Sequence, residues 1–158
     1  MKDFYVSKSH DDNVAIAGDI LQGVVGLNRN QAVVIGLTGD LGTGKTTWTR
    51  GLVESLGGVA DDVQSPTYVL MRDYDLQQTN KNIYNLQNLH HLDVYRFKKA
   101  AELSALKLTD EFDDPTKIFV VEWWRKVKSA LPKQIVKQVI ELEFETINDF
   151  TRTITVKK

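Results

Sequence analysis

Apolar residues recur along this chain with two periods, one matching a strand and one a helix, and the two alternate. Phe4-Tyr5-Val6 predicts a short first strand, and Ser9-His10-Asp11-Asp12 has the Ser-x-x-acid form of a helix start. Val14, Ala17, Leu21, Val24 and Val25 follow at helical spacing, with Gly26 as the stop. Ala32-Val33-Val34-Ile35-Gly36-Leu37 is continuous and largely β-branched, as a strand buried on both faces requires. After a glycine-rich turn, Trp48, Leu52, Val53 and Leu56 mark a second amphipathic helix, closed by Gly57-Gly58.

The second half is read in the same way. Tyr68 to Tyr74 predicts a strand, Gln77 to Asn82 a hairpin tip, and Leu89 to Tyr95 a further strand. Ala100 to Phe112 reads as a helix with Leu103, Leu106 and Phe112 facing the core. Ile118-Phe119-Val120-Val121 is another wholly apolar strand, and Trp124 to Ala130 predicts a short helix before Leu131-Pro132. Two late β segments, Ile135 to Phe144 and Thr151 to Val156, finish the chain. Buried strands separated by helices predict an α/β fold: a mostly parallel core sheet, an antiparallel extension, and flanking helices. With no internal repeat, low-complexity tract or linker, one domain over residues 1–158 is expected.

Composition narrows the chemistry. The 158 residues contain no cysteine, which removes disulfides, thiol nucleophiles and zinc–thiolate sites, and three histidines make a histidine metal cluster a poor expectation. Twenty Lys and Arg against 21 Asp and Glu give a net charge of −1, without the basic excess of a protein that binds nucleic acid unaided. No apolar run approaches the roughly 18 residues that cross a bilayer, and the first residues lack a signal-peptide pattern. A cytoplasmic protein without membrane contact is the expectation.

The strongest chemical signal is Gly39-Asp40-Leu41-Gly42-Thr43-Gly44-Lys45-Thr46, followed by Thr47. It fits G-x-x-x-x-G-K-[ST] in the required setting, with a buried strand before it and an amphipathic helix after. The glycines let successive backbone N–H groups face phosphate oxygens, and the helix beginning near Lys45 adds its positive end. Lys45 suits the β- and γ-phosphates, and the Thr46 hydroxyl suits magnesium. A glycine-rich connector with a chance Lys-Thr is the alternative, and the flanking elements argue against it.

A phosphate-binding loop needs acids across the site. Glu122 ends the apolar run from Ile118, and Asp93 lies in His91-Leu92-Asp93-Val94-Tyr95-Arg96, both at predicted strand ends where ligands of α/β sheets collect. Either can hold magnesium directly or through water, and either can orient an attacking water. Thr67, in Ser65-Pro66-Thr67-Tyr68, suits a switch that senses a γ-phosphate, although a proline turn with hydroxyl side chains explains the segment equally well. Trp123 and Trp124 follow Glu122, one expected to pack inward and the other near the nucleotide. The Lys98-Lys99 and Lys126/Lys128 charges read as a solvated face.

Taken in order, the motifs at 39–47, 65–68, 91–96 and Glu122-Trp123 resemble the bacterial TsaE (YjeE) family over roughly Ser7 to Val156. The resemblance implies a P-loop fold and a magnesium-dependent ATPase, needed for making threonylcarbamoyladenosine in tRNA. It implies TsaD and TsaB as protein partners, with tRNA reached only through the complex. It assigns Gly39 to Thr47 to phosphates, Thr46 and Glu122 to magnesium, Asp93 to the second essential acid, Thr67 to the switch loop and Trp123 to the nucleotide. By the same resemblance Lys45, Thr67, Asp93 and Glu122 form the catalytic set, while His10 and Asp11 approach adenine.

Three features depart from the family pattern: a longer stretch between Asp75 and His91, Lys107 where a glycine is common, and Trp124 in place of a small residue or proline. A small-molecule kinase shares the phosphate loop and is the rival reading. It would need an arginine-bearing lid, whereas the six arginines here are scattered. Arg96 is the candidate for an arginine finger, and slow basal hydrolysis by an isolated monomer, accelerated by partners, is expected.

Overall fold

A computed structural model describes residues 1–25, 30–76, 84–108 and 110–157. Its centre is a seven-stranded sheet of β1 (Phe4–Ser7), β2 (Val33–Thr38), β3 (Met71–Asp75), β4 (Asn88–Asp93), β5 (Lys117–Glu122), β6 (Ile140–Asn148) and β7 (Thr151–Lys157). The spatial order is β1-β7-β6-β2-β5-β4-β3. The four strands β6, β2, β5 and β4 run parallel. An antiparallel β7–β1 pair extends one side and antiparallel β3 the other. The expected parallel core with antiparallel extension is the observed architecture.

Two helices, α1 (His10–Val25) and α2 (Lys45–Ser55), bury Ile16, Ala17, Ile20, Leu21, Trp48 and Leu52 against one sheet face. Alternate residues of β2, β4 and β5 supply the other half of that core: Val33, Ile35, Leu37, Leu89, Ile118 and Val120. The intervening residues, Val34, Leu92, Phe119 and Val121, face a second core under Phe97, Leu103, Phe112 and Trp124. Because both faces are covered, β2 is buried at all six positions. The two helices cross where Gly51 leaves room, since a Cβ there would sit 2.8 Å from Val14 N.

Local signals explain several boundaries. Ser9 Oγ accepts from Asp12 N–H at 3.1 Å, while the Asp12 carboxylate reaches back to Lys8 N–H rather than Ser9 N–H. At the end of α2, Gly57 adopts φ 88°, and the N–H of Gly58 bonds to Val53 O at 2.9 Å, closing the helix at the expected pair. Among the described residues no helix is long and apolar enough to cross a membrane. The expected stop at Gly26 and hairpin tip from Gln77 to Asn82 lie outside the described residues.

Four expectations need correction. The strand assigned to Tyr68–Tyr74 begins only at Met71, because Pro66 to Leu70 form a turn in which Val69 N–H bonds to Pro66 O at 3.0 Å. The helix over Ala100–Phe112 is two 3₁₀ segments, Ala100–Leu106 and Asp110–Asp113, interrupted by Lys107 at φ 52°. A right-handed helix cannot pass through that left-handed residue. Trp124–Ala130 is likewise two 3₁₀ turns that meet at Val127. The late strand starts at Ile140, since Pro132 leads instead into a short helix, α3 (Lys133–Val136).

Trp124 packs against the sheet over Gly36, where a Cβ would lie 2.4 Å from the indole. Gly36→Ala should therefore overpack this layer and lower stability by about 1–3 kcal/mol. Urea unfolding reads this as a lower midpoint at unchanged slope, and a wild-type midpoint would contradict this account of the contact.

Candidate active site

Parallel strands β2, β4 and β5 end at one level, where Leu37 and Asp93 are both register partners of Glu122. Gly39 turns the chain away from β2 at φ 136°, and a Cβ there would lie 2.5 Å from Phe144 O. Gly42 (φ 78°) and Gly44 (φ 96°) continue the bend, with Gly44 as the residue preceding α2. These conformations favour glycine. Asp40 and Leu41 are exposed at the outer side of the loop, while Thr43 donates its hydroxyl hydrogen to Asp40 O at 2.8 Å.

Lys45 opens α2 and is buried. Its ammonium donates to Gly39 O at 2.8 Å and Asp40 O at 2.7 Å, and lies 4.6 Å from the centre of the Trp123 ring. Burial pushes this ammonium below the ordinary lysine range, opposed by the nearby Glu122, Asp93 and Asp40 carboxylates. Thr46, one residue on, donates its hydroxyl hydrogen to Glu122 Oε1 at 2.7 Å.

The second acid is held from two sides. Asp93 Oδ1 accepts from Tyr95 N–H at 2.9 Å, and Oδ2 accepts the Thr67 hydroxyl. With its hydrogen given to Asp93, Thr67 Oγ1 is the acceptor for Ser65 Oγ at 2.7 Å. The Leu70 carbonyl accepts from Asp93 N–H at 3.1 Å, so the 66–70 turn is tied to this residue at both ends. Tyr68 and Val69 are exposed, with the Arg96 guanidinium 5.5 Å over the Tyr68 ring.

Of the two tryptophans, Trp124 is buried in the core and Trp123 lies over Lys45, by a route that strand alternation does not describe. Trp123 has left β5: its φ is 62° and its N–H bonds to Leu37 O at 2.9 Å. That left-handed step presents the Trp123 indole to Lys45, while Trp124 is buried in the second core, against which Trp123 also packs. The ring of Tyr95 packs at 5.1 Å on Trp123.

The structure thus brings together Lys45, Thr46, Thr67, Asp93, Glu122 and Trp123 around the Gly39–Thr47 loop. Asp11 is not brought in: it is exposed in the first turn of α1. His10 pairs with Glu54 at 2.6 Å and lines an outer opening with Thr47. A cavity of about 290 Å³ lies instead beside the loop, walled by Ser9, Asn13, Thr43, Gly44, Phe150 and Arg152. Sequence reading missed Asn13, Phe150 and Arg152. Ser9 gave a signal only as a helix cap, and the turn between β6 and β7 gave none.

Magnesium takes hard oxygen donors, usually one or two carboxylates alongside substrate phosphates. The donor set fits, because Thr46 Oγ1 and Glu122 Oε1 are adjacent oxygens, and two buried carboxylates face one buried ammonium. That excess of negative charge suits a cation, and an anionic phosphate chain needs one in order to approach it.

Lys45 also makes a prediction about the unliganded protein. Its folded-state pKa lies below the unfolded value, so between the two the unfolded chain binds more protons and stability rises with pH. Relative to Lys45→Met, the wild type should gain stability as pH climbs towards about 10.4, the unperturbed lysine value. Denaturation of both proteins across alkaline pH checks this, and a pH-independent difference would refute it.

Comparison with known proteins agrees with the motif reading. The family model described as Threonylcarbamoyl adenosine biosynthesis protein TsaE matches residues 8–154. The chain is 36% identical over 107 residues to the tRNA threonylcarbamoyladenosine biosynthesis protein TsaE of Haemophilus influenzae, covering 68% of this chain and 61% of that protein. It is 32% identical over 120 residues to the protein of that name in Bacillus subtilis, covering 76% and 68% respectively. For Treponema pallidum the figures are 31% over 133 residues, 84% and 87%. With the phosphate-loop motif, both strand-end acids and all but the two ends of the sequence inside the matched region, the chain belongs to the TsaE family.

Proposed function

We propose that this chain binds ATP with magnesium and hydrolyses it, in the service of tRNA threonylcarbamoyladenosine formation and in concert with TsaD and TsaB. The observation that carries the reading is the convergence of Lys45, Thr46, Asp93 and Glu122 at the shared end of three parallel strands. The relatives' names supply the pathway.

In this reading the N–H groups of Gly42 to Thr47 and the Lys45 ammonium hold the phosphates, which requires Lys45 to exchange its Gly39 and Asp40 carbonyl partners for phosphate oxygens. The 290 Å³ cavity beside Gly44 offers room for the nucleoside. Thr46 and Glu122 would hold magnesium, which would supply charge neutralisation for the phosphate chain. Asp93 orients the attacking water, and Thr67, bonded to it, senses whether a γ-phosphate is present.

The described arginines point to slow turnover by the chain alone. Arg50 donates to Val63 O, Arg125 pairs with Glu141, Arg152 donates to Asn148 O, and Arg96 rests over Tyr68. An arginine finger is worth about 10³–10⁵ in rate. Arg72 lies on β3, and Arg152, which walls the cavity beside Gly44, is engaged by the Asn148 and Thr151 carbonyls, so in this reading hydrolysis waits on the partner proteins or on a movement of Arg96 or Arg152.

Lys45→Ala should abolish ATP binding in titration calorimetry, and binding equal to wild type would end the phosphate-loop assignment. Asp93→Asn should retain ATP binding while hydrolysis falls about 10²–10⁴-fold. Reconstituted tRNA modification with TsaD and TsaB should require this chain and hydrolysable ATP. Full modification when it is omitted would refute the proposed role.

A further inference from the structure

The face of β4 that packs beneath α1 and α2 reads Leu89, His91, Asp93. Leu89 is core and Asp93 belongs to the site, but His91 lies below the site and is wholly inaccessible to solvent. A polar ring buried there is costly unless its nitrogens find partners. His91 finds one: Nε2 lies 2.9 Å from Glu122 Oε1, while Nδ1 is buried without a partner. A carboxylate oxygen only accepts, so Nε2 carries the hydrogen of this bond. The same Oε1 accepts from Thr46, so two donors on two elements fix one oxygen of Glu122.

We propose that His91 is a positioning residue for the cation site: its Nε2–H clamps Glu122 Oε1 beside Thr46 and so sets the carboxylate in place before nucleotide and metal arrive. The inference rests on the magnesium reading above. Hydrogen-bonded supports behind a metal-ligating side chain typically change metal affinity 10–100-fold when removed. The adjacent His90 has no share in this, because it faces the other way, stacked at 4.7 Å on Phe119 and bonded to Asp73. Nor does packing demand an imidazole at position 91. The ring of Tyr74, 6.4 Å away, and its aliphatic neighbours would accept leucine.

The test uses the full chain and three proteins. In the wild type, long-range ¹⁵N–¹H spectra of labelled histidine should show the hydrogen of His91 on Nε2. A hydrogen on Nδ1 with none on Nε2 would overturn the proposal whatever the activity. His91→Leu, which fills the space and removes the donor, should need roughly 10–100-fold more magnesium for half-maximal ATP binding and hydrolysis. Its affinity for ATP in excess chelator should stay at the wild-type level. His91→Gln, which returns an N–H donor to that reach, should recover most of the loss. Wild-type magnesium dependence in a folded His91→Leu protein would overturn the proposal and leave the ATPase reading standing. A wild type whose ATP affinity and hydrolysis are the same with magnesium as in excess chelator would overturn both.

Discussion

Two carboxylates and one ammonium are buried together at the ends of β2, β4 and β5, and each is costly to hold away from water. None is left alone. Lys45 is satisfied by two loop carbonyls, Glu122 by Thr46 and His91, and Asp93 by Thr67 and Tyr95. Those partners come from the loop, α2, β4, the turn after Pro66 and the segment after β4. The charge cluster therefore dictates where three separate stretches of chain, residues 39–46, 66–70 and 88–95, must meet the end of β5. The sheet supplies the platform, since parallel strands in register end side by side and deliver Asp93 and Glu122 to one level.

The central strands were legible because parallel strands covered on both faces must be continuous apolar runs, and Ala32–Leu37 and Ile118–Val121 have no other good reading. The loop was legible because its glycine spacing answers a backbone requirement. Position by position, Gly39, Gly42 and Gly44 do adopt positive φ. What escaped sequence reading was tertiary. Leucine spacing over Ala100–Phe112 satisfies a helix, yet Lys107 enters the left-handed region and divides it. Nothing local identified Phe150 and Arg152 as wall residues, because the β6–β7 pairing is what carries them to Gly44.

Two of the departures from the family pattern find a physical setting. The bulk of Trp124 is accommodated by Gly36, the one residue of β2 without a side chain. Lys107 takes a conformation that costs a non-glycine residue about 1–2 kcal/mol. It does so at the end of a 3₁₀ segment on the sheet face away from α1 and α2, so the cost falls outside the nucleotide-side core. The third departure, the longer segment after Asp75, includes residues outside those described.

The turn from Pro66 to Leu70 is moored to Asp93 by both its Thr67 hydroxyl and its Leu70 carbonyl, and it feeds only the outermost strand, β3. Between those moorings stand Tyr68 and Val69, bare to solvent. A rearrangement of the Asp93 carboxylate would therefore be transmitted outward to a small greasy knob on the molecule's exterior. Because β3 is the rim of the sheet, such a shift would be taken up there without the core having to repack.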